Sequence, residues 1–243
     1  MRKTRPENKG ELIELLRQST PVWQIDTSLI EDMSGLCDLF NRHYDYGREL
    51  EGIGEWEVGR VKDMSFMFSY CLGFNEDISR WDTSRVEDMS CLFRCCPSFN
   101  QPLGRWNVGR VRTMKNMFEG CVSFNQPLGG WTVSSVEDFS SMFFLCRIFN
   151  QDLGGWITSR ARSMASMFCC CCSFNQDLSR WNVKKVEDFS CMFYECTSLD
   201  RDFSWWETAS AKDKEDMFWL CPSGLRGCFG NGIRIHAFSP LEQ

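Results

Sequence analysis

The stretch WNVGRVRTMKNMFEGCVSFNQPLGG, residues 106–130, is one unit of a repeat, because the next residue, Trp131, begins the same pattern again. Tryptophan recurs every 25 residues, at Trp56, Trp81, Trp106, Trp131, Trp156, Trp181 and Trp206. A cysteine follows each tryptophan fifteen residues later, at Cys71, Cys96, Cys121, Cys146, Cys171, Cys196 and Cys221. A fixed period between about 20 and 50 residues is typical of solenoids, propellers and other arrays. The sequence therefore predicts a repeat protein.

Within one repeat, the apolar residues indicate a short strand followed by a short helix. Trp181 and Val183 alternate with the polar Asn182, as in a strand with one buried face. The pattern S-x-x-E at 84–87 and 134–137 is a capping box that favours a helix start. The apolar residues that follow step by three or four, as in one or two turns of α- or 3₁₀-helix: Val186, Phe189, Met192, Phe193 and Cys196. Each repeat is predicted to form one coil, which must stack on its neighbours to bury these side chains.

These patterns predict an α/β repeat solenoid, a right-handed leucine-rich-repeat-like stack of about eight 25-residue coils, each with a short strand and a short helix or 3₁₀ turn. Residues 1–24 are expected to form a frayed tail and a capping helix over 11–18. A single solenoid domain is expected over 25–221, with a degenerate first coil at 25–55, regular coils at 56–205 and a decaying last coil at 206–221. Residues 222–243 are expected to be a C-terminal cap or tail.

The repeats resemble the BspA-like leucine-rich-repeat family, specifically its 25/26-residue surface-protein repeats. The matching segments are WDTSRVEDMSCLF at 81–93, SFNQPL at 123–128 and SFNQDL at 173–178, and the resemblance extends over about 25–221. It implies a role in cell-surface or extracellular recognition and no catalytic residues. Because no signal peptide, lipobox or wall anchor is visible in the sequence, an intracellular location is nevertheless expected.

The charges are distributed in columns along the repeats. Net charge is −6 at pH 7, which argues against generic nucleic-acid binding. Six residues after the tryptophan position the sign alternates from repeat to repeat, through Glu31, Lys62, Glu87, Arg112, Glu137, Arg162, Glu187 and Lys212. Neighbouring coils should place opposite charges side by side, so this column is expected to neutralise itself.

A second set of basic residues has no such acidic counterpart. They lie one residue before or four residues after the tryptophan, and we predict that they bind a partner: Arg60, Arg80, Arg85, Arg105, Arg110, Arg160, Arg180 and Lys185. The alternatives are a solvated basic stripe, or pairing with loop carboxylates such as Asp77, Asp152 or Asp177. If the stripe is only solvated surface, the inserted loop at 41–52 becomes the better candidate for partner binding.

Fifteen cysteines raise the question of thiol chemistry. Seven occupy the periodic position, where a small buried hydrophobe fits. The run Cys169–Cys172 has zinc-like spacing, but no second such pair exists and the sequence has two histidines, His43 and His236. Reduced thiols are therefore expected, with no metal and no cofactor.

No nucleophile elbow, phosphate loop, H-E-x-x-H motif or glycine-rich dinucleotide turn is present, so we do not expect an enzyme. The favoured hypothesis is a non-catalytic scaffold that binds a protein or peptide, possibly acidic, along its strand-lined face, without binding nucleic acid or inserting into a membrane. The alternative is a redox-responsive or metal-binding cysteine-rich protein.

Overall fold

The computed structural model describes residues 3–40 and 50–222. Its helices lie before the first tryptophan repeat: α1 at Lys9–Arg17, a 3₁₀-helix at Val22–Gln24, α2 at Cys37–Phe40 and a second 3₁₀-helix at Ile53–Glu55. From residue 56 to residue 222 the chain consists of turns, bends, extended residues and isolated bridges. We name each repeat after its tryptophan.

Successive repeats are joined in parallel and in register. One isolated bridge per repeat connects the residue seven positions after the tryptophan with its counterpart in the next repeat, as in Asp63 with Asp88 and Asp88 with Thr113. Around the first of these bridges, the Met64 N–H donates to the Asp88 carbonyl at 3.0 Å and the Glu87 N–H donates to the Lys62 carbonyl at 2.7 Å. The backbone therefore fixes the register of the stack at a polar column.

The structure forms neither the strand predicted at 181–183 nor the helix predicted after Val186. The reason is the backbone conformation beyond the bridge. Two residues in each repeat adopt a left-handed conformation, for example Phe66 with φ 57° and Tyr70 with φ 62°. A left-handed residue interrupts both a β-strand and a right-handed helix. The chain therefore turns repeatedly.

Alternate N–H groups in this turning segment bond to the next repeat instead of forming a helix. The Phe66, Phe68 and Tyr70 N–H groups donate to backbone carbonyls of the Trp81 repeat, at 2.6–3.0 Å. The capping-box serines do not start helices either. The Ser84 N–H donates to Asp82 Oδ1 at 3.0 Å, which closes a local turn.

Aromatic columns run through the interior, as the period predicted. The phenylalanines twelve residues after each tryptophan stack with ring centroids 5.5–5.8 Å apart, from Phe68 to Phe218. Tryptophan rings of adjacent repeats lie 6.0–6.5 Å apart where they stack. These side chains are buried, which confirms the predicted inward positions.

The periodic cysteines are buried, as predicted, but they also act as hydrogen-bond donors. Cys121 Sγ donates to the Phe93 carbonyl at 3.0 Å, and the same bond recurs from Cys96 to Cys221. Burial raises the pKa of these thiols, to about 12 for Cys71 and well above the ordinary value for Cys121. The thiols therefore remain protonated donors at neutral pH.

The tryptophans have a matching role. Trp156 Nε1 donates to the Leu128 carbonyl of the preceding repeat at 3.0 Å, and the equivalent bond is made by Trp106, Trp131, Trp181 and Trp206. Trp81 is an exception, because its buried Nε1 has no partner among the described residues. A buried indole usually finds an acceptor.

Helix α1 closes the N-terminal end of the stack, close to the predicted helix over 11–18. The Asn8 side chain caps it by accepting the Glu11 N–H, and Leu12 is fully buried in the core. Lys9 Nζ pairs with Asp32 Oδ1 of the first repeat at 3.0 Å. Residues 223–243 of the expected C-terminal cap or tail lie outside the described residues.

Candidate functional site

The residues next to each buried tryptophan form an exposed surface. Trp181 and Val183 point into the core, whereas Asn182 between them and Lys184 and Lys185 after them are exposed. Positions from one before to six after the tryptophan therefore share one side of the stack. We call this surface the outer face and define it by residues 80–87, 105–112, 130–137, 155–162 and 180–187.

The structure leaves all eight predicted partner-binding residues exposed. Arg60 pairs with Glu31 at 3.4 Å. The other seven form no ion pair with any residue in 3–40 or 50–222: Arg80, Arg85, Arg105, Arg110, Arg160, Arg180 and Lys185. With Arg60 as the exception, these cations are not neutralised by a contacting carboxylate of the described chain.

The loop carboxylates that we considered as alternative partners are engaged in their own turns. Asp77 Oδ1 accepts the Ser79 N–H at 2.9 Å, and Asp177 does the same with Ser179. The pKa of the Asp77 carboxyl is lowered, first by its hydrogen bonds with Ser79 and less by the charge of Arg80. Asp152 accepts the Gly154 N–H at 2.8 Å. These carboxylates therefore close turns and form no ion pair with the predicted partner-binding arginines and lysine.

The alternating column is paired at both ends of the stack but not in its middle. Lys62 pairs with Glu31 at 2.7 Å, and Glu187 pairs with Arg162 at 3.4 Å and also with Lys212. In the central repeats Glu87, Arg112 and Glu137 form no ion pair within the described part of the chain. The predicted self-neutralisation is therefore confirmed at the ends and wrong in the centre.

A groove of about 190 Å³ opens at this centre. It exists because Ser135 stands where the repeats on either side carry Arg110 and Arg160. Ser135 Oγ donates to the Gly109 carbonyl at 2.8 Å, so the short side chain lies back against the preceding repeat. The groove is lined by Glu87, Gly109, Arg110, Arg112, Ser135, Glu137 and Arg160. The residue columns did not predict this groove, although Ser135 visibly interrupts the basic column four residues after the tryptophan.

The outer face has a charge opposite to that of the whole chain. The protein carries a net charge of −6. The outer face has an excess of basic side chains: Arg80, Arg85, Arg105, Arg110, Arg112, Arg160, Arg162, Arg180, Lys184 and Lys185, against Asp82, Glu87, Glu137 and Glu187. Such a segregation of charge gives the outer face a positive local field on a chain whose net charge is negative.

The cysteines within the described residues do not come together as a metal centre or as an activated thiol pair. Cys171 is buried and donates to the Phe143 carbonyl, whereas Cys169 Sγ lies 3.7 Å from Cys170 Sγ. Burial raises the pKa of the Cys169 and Cys170 thiols, and that of Cys91 to about 11. Reactive thiols require a lowered pKa. Over 3–40 and 50–222 all cysteines are free, and no group of three or more potential ligands could hold a metal ion.

The alternative site in the inserted loop at 41–52 falls mostly on residues 41–49, outside the described residues. In the part of the chain that is described, no helix has the length and apolar character needed to cross a membrane. The outer face is therefore the candidate site that the structure defines.

Comparison with known proteins identifies a repeat family. A family model described as "Mycoplasma protein of unknown function, DUF285" matches twice, over residues 13–131 and 114–224. No curated protein and no solved structure matches the chain. Because the two matches together span most of the sequence, the chain belongs to this DUF285 family.

Proposed function

We propose that the protein is a non-catalytic interaction scaffold that binds an acidic protein or peptide on its outer face. The observation that carries this proposal is the set of seven exposed cations that have no ion-pair partner among the described residues, on a chain with a net charge of −6. We further propose a right-handed leucine-rich-repeat-like solenoid related to the BspA-like repeats. The sequence motif and the parallel register of the bridges support this architecture.

The charges favour recognition over stability as the role of the outer face. A neighbouring pair of opposite charges on a stack contributes about 0.2–1 kcal/mol, and this chain has such pairs at both ends of its alternating column. The seven unpaired cations of the outer face do not contribute this ion-pair stabilisation. An acidic partner would be attracted by these unpaired cations, and its association rate would rise as a result.

The redox or metal-binding alternative has less support. It would need accessible thiols with a lowered pKa, or a set of converging ligands. The thiol pKa shifts of the described cysteines are upward wherever a shift is resolved, as for Cys91 and Cys170.

The test is a triple variant with Arg80→Gln, Arg105→Gln and Arg180→Gln. The probe is a fluorescein-labelled extended peptide of Glu and Gly. We expect an almost unchanged Tm, because the three side chains are exposed, together with a lower association rate and a weaker salt dependence in stopped-flow fluorescence.

A matched control removes the same charge elsewhere, through Arg17→Gln, Lys115→Gln and Arg147→Gln, which are also exposed and lie outside the outer face. This control should bind the peptide almost like the wild type. If the control loses as much affinity as the first triple variant, only net charge matters and the proposed binding face is wrong.

A further inference from the structure

Outside the alternating column, which carries Glu137 here, the outer face is divided into two basic ends and a middle without charged side chains. The first basic patch comprises Arg80, Arg85, Arg105 and Arg110, and the second comprises Arg160, Arg180 and Lys185. Between them, position by position, the chain carries Gly130, Thr132, Ser134, Ser135, Gly155 and Ile157. We call these six residues the neutral centre. The neutral centre therefore separates the basic side chains of the outer face into two patches rather than one continuous row.

The neutral centre is open and partly apolar. Apart from its chain neighbours, a Cβ atom added at Gly130 would meet no atom within 4 Å, and one at Gly155 would meet only the Gly129 carbonyl oxygen, at 3.8 Å. Ile157 is 61 % exposed. In other repeats its position carries a polar residue, such as Asn107 or Asn182. An apolar side chain that covers Ile157 removes apolar surface of both side chains from water, which favours binding.

The distance between the two basic patches sets the spacing of acidic groups on a partner. Rings of one column lie 5.6–6.5 Å apart in consecutive repeats. Arg105 and Arg180 lie three repeats apart, which corresponds to about 18 Å, or about five residues of an extended chain at roughly 3.3 Å per residue. A partner segment that runs along the stack would therefore reach both patches with acidic groups about five residues apart.

We infer that the outer face binds an extended segment of a partner protein in which two acidic clusters, about five residues apart, flank an apolar residue. The acidic clusters pair with the two basic patches, and the apolar residue lies against Ile157 in the neutral centre. This inference rests on the proposed function and specifies the chemistry of its partner.

The first experiment compares three synthetic peptides of identical composition by isothermal titration calorimetry. Their two Asp-Glu clusters are separated by about two, about five and about nine residues, with one Leu at the midpoint. We expect the middle spacing to bind about tenfold more tightly than the spacing of about two residues, which cannot span the distance between the patches even when fully extended. The spacing of about nine residues must bulge away from the face to reach both patches, which lifts its Leu from Ile157, so it should bind about threefold more weakly than the middle spacing. Equal affinities would overturn the inference but leave the proposed function intact. If none of the three peptides binds, the proposed function fails as well.

The second experiment tests the neutral centre with Ile157→Ser. We expect about a fivefold loss of affinity for the peptide with the Leu midpoint, and little change for the same peptide with Gly there. The matched control is Ile148→Ser, a residue that is 47 % exposed outside the outer face, which should leave both affinities unchanged. If Ile157→Ser weakens both peptides equally or neither of them, no apolar contact exists at this position, and the inference is wrong.

Discussion

Inside the stack the same residue type occupies the same position in almost every repeat, whereas on the outer face it changes from one repeat to the next. Cysteine stands fifteen residues after the tryptophan in all seven tryptophan repeats. Four residues after the tryptophan, the chain instead carries Arg60, Arg85, Arg110, Ser135, Arg160, Lys185 and Ser210. The interior and the outer face belong to the same repeats. We attribute the difference in how much their residue types vary to what each position contacts.

The cysteine and tryptophan positions are uniform because most of these side chains both fill space and satisfy the backbone of the preceding repeat. Cys121 donates to the Phe93 carbonyl, and Trp131 donates to the Leu103 carbonyl. The cost of leaving a buried polar group unpaired restricts the choice at such sites. The outer positions contact solvent and carry no such restriction, so their variation is available for recognition.

The largest expected effect comes from a charge placed in the cysteine column. Cys121→Asp buries a carboxylate that has no cation nearby, and should cost several kcal/mol or prevent folding of the central repeats. Cys121→Ala should cost only about 1 kcal/mol, for one thiol hydrogen bond and a small volume. Urea denaturation followed by tryptophan fluorescence measures both variants.

The matched control for this prediction is Cys172→Asp, because Cys172 is only partly buried and lies next to the same column in another repeat. Its carboxylate can reach water, so its cost should be far smaller. Equal unfolding midpoints for Cys121→Asp and Cys172→Asp would contradict the burial of the cysteine column.

A smaller effect is expected from removing an indole donor. Trp156→Phe removes ring volume and also the hydrogen bond from Nε1 to the Leu128 carbonyl. Trp81→Phe removes the same volume, but the Trp81 Nε1 has no partner among the described residues. We therefore expect Trp156→Phe to lower the free energy of unfolding by about 1 kcal/mol more than Trp81→Phe does.

Urea denaturation of the two variants side by side gives this difference directly, since each loses one fluorophore of the same kind. If Trp81→Phe is the more destabilising change, the hydrogen bond from the indole Nε1 does not explain why tryptophan occupies this position in every tryptophan repeat. Ring stacking, with centroids 6.3 Å apart for Trp81 and Trp106, would then be the stronger constraint.

The interior was largely predictable from the sequence, and the backbone was not. The 25-residue period alone placed Trp181, Phe193 and Cys196 inward, because large apolar side chains must be buried between stacked repeats. The bridges, by contrast, lie at polar residues such as Asp88 and Thr113, which hydrophobic periodicity does not report. Gly120 marks a left-handed position with a glycine, but its counterparts in other repeats, such as Tyr70, do not, so the hydrophobic pattern did not predict the turns that replace the helix.

The candidate site was only partly predictable, for a similar reason. Sequence columns placed the stripe residues, including Arg110 and Arg160, on one exposed surface. They could not give the rotamers that leave Arg112 unpaired between Glu87 and Glu137, the three residues that line the groove beside Ser135. Ion pairs between long exposed side chains are weak, so residue spacing alone does not determine which charged side chains pair.

The smallest expected effect compares a paired with an unpaired carboxylate of the alternating column. Glu187→Gln removes ion pairs with Arg162 and Lys212, whereas Glu87→Gln removes none within the described chain. We expect Glu187→Gln to lower Tm slightly, on the order of 1 °C, and Glu87→Gln to leave it unchanged. Differential scanning calorimetry at low ionic strength measures the shift, and added salt should remove it.

The pH dependence of this difference has a definite sign. The hydrogen bond and charge of Lys212 lower the pKa of Glu187 below its ordinary value of 4.5. A carboxylate with a lowered pKa stabilises the folded state above the unfolded pKa, and this contribution is lost as the pH falls through the folded pKa. The Tm of wild type and Glu187→Gln should therefore differ at pH 7 and converge as the pH falls through the lowered pKa of Glu187 in the folded state. A difference that persists at low pH or in high salt would mean that Glu187 acts through packing, and that the outer column shares the constraint of the interior.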